Sequence, residues 1–104
     1  MTADSNSRRF RIEPPAPGAM TEVDIDGVPV AIANVEGALY AFESTCTHNQ
    51  CSLTEGRLAG LTVVCACHGG TFDLRTGEVL AGPPDEPIRI RSVQQAGEEL
   101  VVGV

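Results

Sequence analysis

CTHNQC at residues 46–51 and CACHGG at residues 65–70 hold all four cysteines and both histidines of this 104-residue sequence. The first cluster has the spacing Cys-x-His and begins at Cys46, and the second has the spacing Cys-x-x-His and begins at Cys65. Thiolates and imidazoles are both metal ligands, and two of each suit a tetrahedral or nearly tetrahedral site. The two clusters therefore indicate a metal centre, with the rest of the chain as its scaffold.

The distribution of ligand types between the two clusters bears on the identity of the metal. Structural zinc sites more often take two cysteines from one loop and two histidines from another, whereas each cluster here offers both types. This alternation favours a two-iron cluster with two thiolates on one iron and two imidazoles on the other. Zinc in the same pocket is one alternative. Two disulfides in a small secreted domain are another, although that framework gives no reason for both histidines to fall at ligand spacing.

Length and hydrophobicity indicate a single globular domain, 1–104. Hydrophobic residues make up 42% of the chain and are spread evenly along it. No apolar run reaches the roughly 18 residues of a membrane span. The polar start, 1–9, lacks the apolar segment of a signal peptide. We therefore expect a soluble, cytoplasmic protein without membrane contact. Because chain termini with polar residues are often poorly ordered, we also expect residues 1–7 to be disordered.

The chain is acidic, with fourteen aspartates and glutamates against seven arginines, no lysine and a net charge of -7. This balance argues against nucleic acid as a partner. An acidic surface would steer the protein towards a basic patch on a redox partner, or would serve solubility alone. Glu22, Asp24 and Asp26 form an acidic row on one predicted strand. The row is a candidate docking face, although an ordinary solvated strand face has the same pattern.

Apolar residues alternate with polar ones along most of the chain, which predicts short antiparallel strands and no helix. Asp26-Gly27 and Glu36-Gly37 are strong signals for the turns of two hairpins. The predicted fold class is therefore all-β. The predicted strands span 9–13, 20–26, 28–35, 38–42, 62–65, 71–73, 78–80, 88–94 and 99–102, and residues 53–60 are expected to bridge the two cysteine clusters.

The ligand pattern, together with Thr-Phe-Asp at residues 71–73 and Gly-Pro-Pro at residues 82–84, closely resembles the Rieske family. This resemblance implies a Rieske-like fold of antiparallel sheets, a sandwich or incomplete barrel, with a small cluster-binding subdomain at 44–84. It also implies one Rieske-type [2Fe-2S] cluster per chain. The implied ligands are Cys46 and Cys65 on the buried iron and His48 and His68 on the outer iron.

The resemblance extends to residues around the ligands. Cys51 and Cys67 stand where Rieske subunits of cytochrome bc complexes place a disulfide between the two loops, and two free thiols are the alternative. Gly70 and Phe72 stand where high-potential subunits carry a serine and a tyrosine, whose hydroxyls bond to the cluster and its cysteine. We therefore expect a potential in the lower part of the roughly -150 to +300 mV Rieske range. The residues implied as a cover over the cluster are Gly69, Gly70, Gly82, Pro83 and Pro84, and ordinary tight turns at both places are the alternative.

The cluster would use both histidines of the chain, which leaves none for a mononuclear iron site or a general base. No glycine-rich nucleotide-binding motif is present. We therefore expect no enzymatic activity from this chain alone. The resemblance implies a soluble, monomeric one-electron carrier that passes electrons from a flavin-dependent reductase to a terminal oxygenase through an exposed tip containing His48 and His68. The alternatives are a small Rieske subunit held permanently in a larger redox enzyme and a structural zinc module.

Overall fold

The computed structural model describes residues 7–46, 51–67, 69–82, 84 and 86–103. Within these ranges the chain forms three antiparallel sheets and one short 3-10 turn, Leu53–Glu55, and contains no α-helix. The predicted all-β fold class is thus confirmed. The strands are β1 (Ser7–Phe10), β2 (Met20–Ile25), β3 (Val28–Val35), β4 (Ala38–Glu43), β5 (Arg57–Ala59), β6 (Thr62–Val64), β7 (Thr71–Asp73), β8 (Val79–Ala81), β9 (Ile90–Arg91), β10 (Val93–Ala96) and β11 (Glu99–Gly103).

The sheet with strand order β2-β3-β4-β9 lies between the other two sheets, because its side chains share one buried cluster with each of them. Its strand β3 has the apolar sequence VPVAIANV and is buried on both faces. Because successive side chains of a strand point to opposite faces, Ala31 and Ala33 belong to one buried cluster, and Val30 and Ile32 belong to another. A continuous apolar run is what a strand covered on both faces requires.

The two buried clusters join the middle sheet to its neighbours. Leu100 and Val102 of β11 pack on one face, where the sheet β1-β11-β10 lies. Phe72 of β7 packs on the other face, where the sheet β5-β6-β7-β8 lies, and fully burying such a side chain contributes roughly 1.5–3 kcal/mol. Cys46 and Cys65 belong to the same buried hydrophobic cluster as Phe72. The first cysteine of each sequence cluster is therefore anchored in the core.

Two tight turns connect β2, β3 and β4 where the sequence predicts them. Asp26 and Gly27 have φ values of 54° and 88°, and Glu36 and Gly37 have φ values of 54° and 96°. Two successive residues with positive φ make a type I′ turn, whose twist matches that of the flanking strands. The Asp24 carboxylate accepts a hydrogen bond from the backbone N–H of Gly27 at 2.9 Å. Both predicted hairpins are confirmed.

The prediction of one strand at 88–94 is wrong. The chain forms β9 and then β10, separated at Ser92, and the two strands pair in different sheets. β9 pairs with β4, whereas β10 pairs with β11. The carbonyl oxygen of Ser92 accepts a hydrogen bond from the backbone N–H of Gly103 at 2.9 Å. The alternation of apolar residues changes phase at Ser92, because Ile88 and Ile90 are two positions apart whereas Val93 follows Ile90 by three.

Smaller differences occur near the start of the chain and between the cysteine clusters. β1 begins at Ser7, which pairs with Gly103. Residues 1–6 of the segment expected to be disordered lie outside the described residues. The expected bridge 53–60 contains the 3-10 turn and β5, which pairs with β6. In the part of the chain that the structure describes, no helix is long and apolar enough to span a membrane.

Candidate metal centre

Two loops of equal length carry the cysteine clusters. The first, 46–51, follows β4, and the backbone N–H of Cys46 donates to the carbonyl oxygen of Cys51 at 2.8 Å. The second, 65–70, connects β6 to β7, and the backbone N–H of Cys65 donates to the carbonyl oxygen of Gly70 at 2.7 Å. In each loop the backbone N–H of the first cysteine therefore forms a hydrogen bond with the carbonyl oxygen of the residue five positions later. We call these segments the first and second cysteine loops.

Cys46 and Cys65, the first residues of the two loops, have free thiols. Their exposed fractions are 1% and 2%, so both thiols are shielded from solvent. They share one core cluster with Leu53 and Phe72. Sulfur donors in an apolar environment suit iron or zinc, and a metal bound there would be screened from water on this side. The two thiols predicted to bind the buried iron are thus at matching positions of the two loops.

The predicted imidazole ligands, His48 and His68, lie outside the described residues. The neighbouring positions 47, 49 and 50 do so as well. Of the four proposed metal ligands, the structure therefore describes Cys46 and Cys65, and these two residues can be compared with the needs of an iron site. Two buried free thiols at equivalent loop positions fit the thiolate half of the proposed iron site.

A disulfide between Cys51 and Cys67 links the end of the first cysteine loop to the middle of the second. The Cα atoms of these two residues are 6.5 Å apart. The sulfur atom of Cys65 lies within 4.8 Å of both disulfide sulfurs. This group of three sulfurs is not itself a metal site, because a disulfide sulfur is not a thiolate. The disulfide instead fixes the separation of the two loops beside Cys65.

A third segment packs directly on the second cysteine loop. Gly82 has a φ of +94°, and a Cβ atom built there would lie 2.7 Å from Cα of Gly70 and 3.2 Å from the carbonyl oxygen of Gly69. Pro84 is buried and lies against Gly70. Four of the five residues predicted to cover the cluster therefore lie together. The fifth, Pro83, is outside the described residues.

A short ladder of backbone hydrogen bonds closes the base of the first cysteine loop. The backbone N–H of Leu53 donates to the carbonyl oxygen of Ser44 at 2.6 Å, and Thr45 forms a bridge with Ser52. The hydroxyl of Ser44 donates to the carboxylate of Glu22 on β2. Sequence reasoning missed Ser44 and Ser52, and it placed Glu22 in an acidic row without connecting it to the loop. The hydroxyl residues on both sides of the loop were the signal available, since serine and threonine commonly cap turns.

The hairpin of β7 and β8 is stabilised by Asp73, which follows Phe72 on β7. The Asp73 carboxylate accepts hydrogen bonds from Nε of Arg75 at 3.3 Å, from Nη2 of Arg75 at 3.2 Å and from the backbone N–H of Arg75 at 2.7 Å. The side-chain hydrogen bond from Arg75, followed by the backbone one, lowers the pKa of Asp73 from its ordinary value. The carboxylate is therefore held in its charged form.

Comparison with known proteins places these features in a family context. The model of the Rieske [2Fe-2S] domain matches residues 11–96. The chain is 40% identical over 87 residues to the biphenyl dioxygenase ferredoxin subunit of Pseudomonas sp. (strain KKS102), covering 83% of this chain and 80% of that protein. It is 37% identical over 89 residues to ferredoxin CarAc of Metapseudomonas resinovorans, covering 84% and 83%.

Solved structures show the same similarity in three dimensions. The ferredoxin of carbazole 1,9a-dioxygenase from Nocardioides aromaticivorans IC177 has a TM-score of 0.80 and 33% identity, with 85% of this chain and 86% of that chain covered. A complex of reduced oxygenase and oxidized ferredoxin in carbazole 1,9a-dioxygenase contains a chain with a TM-score of 0.79 and 36% identity, covering 84% and 82%. The similarity thus extends over most of the described sheets.

Proposed function

The chain belongs to the Rieske [2Fe-2S] domain family, and we propose that it delivers single electrons from a flavin-dependent reductase to a terminal oxygenase. Its cofactor is a Rieske-type [2Fe-2S] cluster, which accepts and releases one electron at a time when bound. The similar proteins are ferredoxin components of dioxygenase systems, so the chain is an electron carrier rather than a catalytic enzyme.

The observation that best supports this function is the matched placement of Cys46 and Cys65. The two free thiols are buried at equivalent positions of two loops, and the disulfide between Cys51 and Cys67 joins those loops. We assign Cys46 and Cys65 to one iron and His48 and His68 to the other. In this assignment, the thiolate side of the site faces the core, and the histidine side supplies the route for electrons to a partner.

The packing of Gly82 and Pro84 on the second cysteine loop supports the assignment of a cover over the site. Close approach of backbone to backbone at Gly70 and Gly82 leaves no room for water between these segments. We infer that Gly69, Gly70, Gly82, Pro83 and Pro84 shield one side of the metal site. The first and second cysteine loops and this cover all fall within 44–84, which we assign as the cluster-binding subdomain of a single domain, 1–104.

Transient partners suit the surface of this chain better than permanent association. Among the described residues, Leu80 and Ile90 are the large hydrophobic side chains that are exposed, at 50% and 36%. A permanently held subunit would be expected to present a larger apolar patch. The net charge of -7 instead favours steering towards a basic surface, which raises the rate of encounter. We therefore favour a monomeric, cytoplasmic carrier that docks through the tip containing His48 and His68.

Coulometric titration of the purified protein, combined with metal analysis, tests this function. We expect two irons and two acid-labile sulfides per chain, and one electron taken up for each pair of irons. The reduced protein should then be reoxidised by a terminal oxygenase of the dioxygenase class. Zinc in place of iron, or iron that takes up no electron, would contradict the proposal.

A further inference from the structure

Glu22 contacts the base of the first cysteine loop, although it belongs to the acidic row on the outer face of β2. Its Oε1 atom accepts a hydrogen bond from Oγ of Ser44 at 3.0 Å. The same oxygen lies 3.4 Å from Oγ of Ser52 and 3.4 Å from Oγ1 of Thr54. One carboxylate oxygen therefore gathers three hydroxyl groups that flank the loop on both sides.

The other members of the acidic row have different partners. The carboxylate of Asp24 caps the tight turn after β2 by accepting from the backbone N–H of Gly27. The carboxylate of Asp26 forms an ion pair with Nη2 of Arg8 at 3.0 Å. The row is therefore not a uniform acidic face. Glu22 is the member of this row whose described hydrogen bonds reach residues on both sides of the first cysteine loop.

The hydroxyl protons can be assigned to a consistent network. The hydroxyl oxygens of Ser52 and Thr54 are 2.6 Å apart, so one of them donates to the other. Each hydroxyl has a single proton, which leaves one proton of this pair to donate to Glu22. Ser44 supplies a second proton to the same oxygen. Because the acceptor is ionised, these hydrogen bonds are stronger than those between neutral groups.

The positions of the hydroxyl residues give this network its effect. Ser44 is fully buried and lies two residues before Cys46, whereas Ser52 directly follows Cys51. Glu22 thus ties the chain entering the first cysteine loop and the chain leaving it to the same strand of the middle sheet. Without this anchor, the backbone hydrogen bonds from Leu53 to Ser44 and from Cys46 to Cys51 would still connect the two sides of the loop base.

We propose that Glu22 is a positioning residue of the metal centre: its carboxylate fixes the base of the first cysteine loop through Ser44 and the Ser52–Thr54 hydroxyl pair, and thereby retains the bound cluster. The inference rests on the proposed function, because it concerns retention of the [2Fe-2S] cluster. Glu22 acts through the loop and has no role in the electron transfer itself.

The rate at which the cluster loses iron to a chelator measures the contribution of Glu22 to cluster retention. The decrease in visible absorbance monitors this loss. Glu22→Ala removes both hydrogen bonds, and we expect the cluster to be lost about fivefold faster or more, since hydrogen bonds to a charged group are being removed. Glu22→Gln keeps an acceptor oxygen at the same place but removes its charge, so its rate of release should lie between those of the wild type and Glu22→Ala. Glu98→Ala is the matched control, because Glu98 is 88% exposed and lies on the turn before β11.

The pathway through Ser44 is tested by a double-mutant cycle. Ser44→Ala should also accelerate release, and the combination of Glu22→Ala with Ser44→Ala should be less than additive, because both remove the same contact. Three results would each overturn the role of Glu22. Glu22→Ala could release iron at the wild-type rate, the two substitutions could have additive effects in the double variant, or Glu22→Gln could release iron as fast as Glu22→Ala. Absence of iron from the wild-type protein would overturn the proposed function as well, which separates the two failures.

Discussion

Pro84 fills the space that a side chain at Gly70 would need. A Cβ atom built on Gly70 would lie 2.6 Å from Cγ and 2.9 Å from Cδ of Pro84, closer than real Cβ contacts come. The second cysteine loop and the covering segment can therefore meet only because residue 70 has no side chain. The serine that high-potential Rieske subunits carry at the position of Gly70 does not fit here unless the cover moves.

Gly70→Ser tests this packing. We expect the added side chain to displace Pro84 and to destabilise the protein by about 1–3 kcal/mol, the usual cost of overpacking. Loss of the cluster to a chelator should become faster for the same reason. Ala66→Ser is the control, since Ala66 is an exposed residue of the same loop. Equal stability of the two variants would show that Pro84 moves aside without cost.

Removal of the disulfide between Cys51 and Cys67 should lower the stability of the protein. The two residues are 16 positions apart, and closing a loop of that length stabilises a folded chain by about 3 kcal/mol in the chain-entropy model. We therefore expect the double variant Cys51→Ser, Cys67→Ser to unfold at a lower denaturant concentration. The single variant Cys67→Ser should unfold at nearly the same point as the double variant. An unchanged midpoint would contradict a stabilising disulfide.

Asp73 should make stability depend on pH in the acid range. Its folded-state pKa is lowered from 3.8, first by the side-chain hydrogen bond from Arg75, so the contribution of Asp73 to stability is present above the unfolded pKa and is lost as pH falls through the folded pKa. We expect Asp73→Asn to destabilise the protein near neutral pH, and the difference from wild type to shrink on acidification. Chemical denaturation followed by circular dichroism at several pH values measures this difference. A constant difference would contradict the assignment.

The reduction potential should fall as pH rises through the alkaline range. Imidazole ligands of the outer iron carry protons on their free nitrogens, and these protons leave more readily when the cluster is oxidised. Loss of one proton per electron lowers the potential by about 59 mV per pH unit. Protein-film voltammetry from neutral to alkaline pH measures the slope. A flat response would argue against His48 and His68 as exposed ligands.

Much of the fold is readable from the sequence because local rules decide it. The Asp26-Gly27 and Glu36-Gly37 turns need positive φ at both positions, and the apolar run of β3 matches its burial on both faces. The break at Ser92 is different. It depends on which strands are adjacent in space, since β4 pairs with the chain before Ser92 and β11 with the chain after it. The change of phase between Ile90 and Val93 marks a break at this point, but it does not show which strands pair on either side.

The metal centre also has some features that the sequence shows and others that only the folded structure shows. The spacing of Cys46 and Cys65 within their clusters identifies them as candidate ligands, and the structure buries both. The role of Glu22 could not be read from the sequence, because its contact with Ser44 joins residues 22 positions apart. The sequence shows Glu22 only as one of several acidic residues on a polar strand face. Long-range hydrogen bonds of this kind require the folded arrangement of β2 against the first cysteine loop.

Pulsed EPR of the reduced protein tests the central assignment most directly, because it detects the nuclei bound to the iron pair. We expect a rhombic signal with couplings to two nitrogens, one from each of His48 and His68. Replacing either histidine should remove one of the couplings or the cluster itself. A signal without nitrogen coupling would indicate thiolate ligands on both irons, and a zinc-containing protein without a signal would exclude electron transfer. Either result would contradict a Rieske centre in this chain.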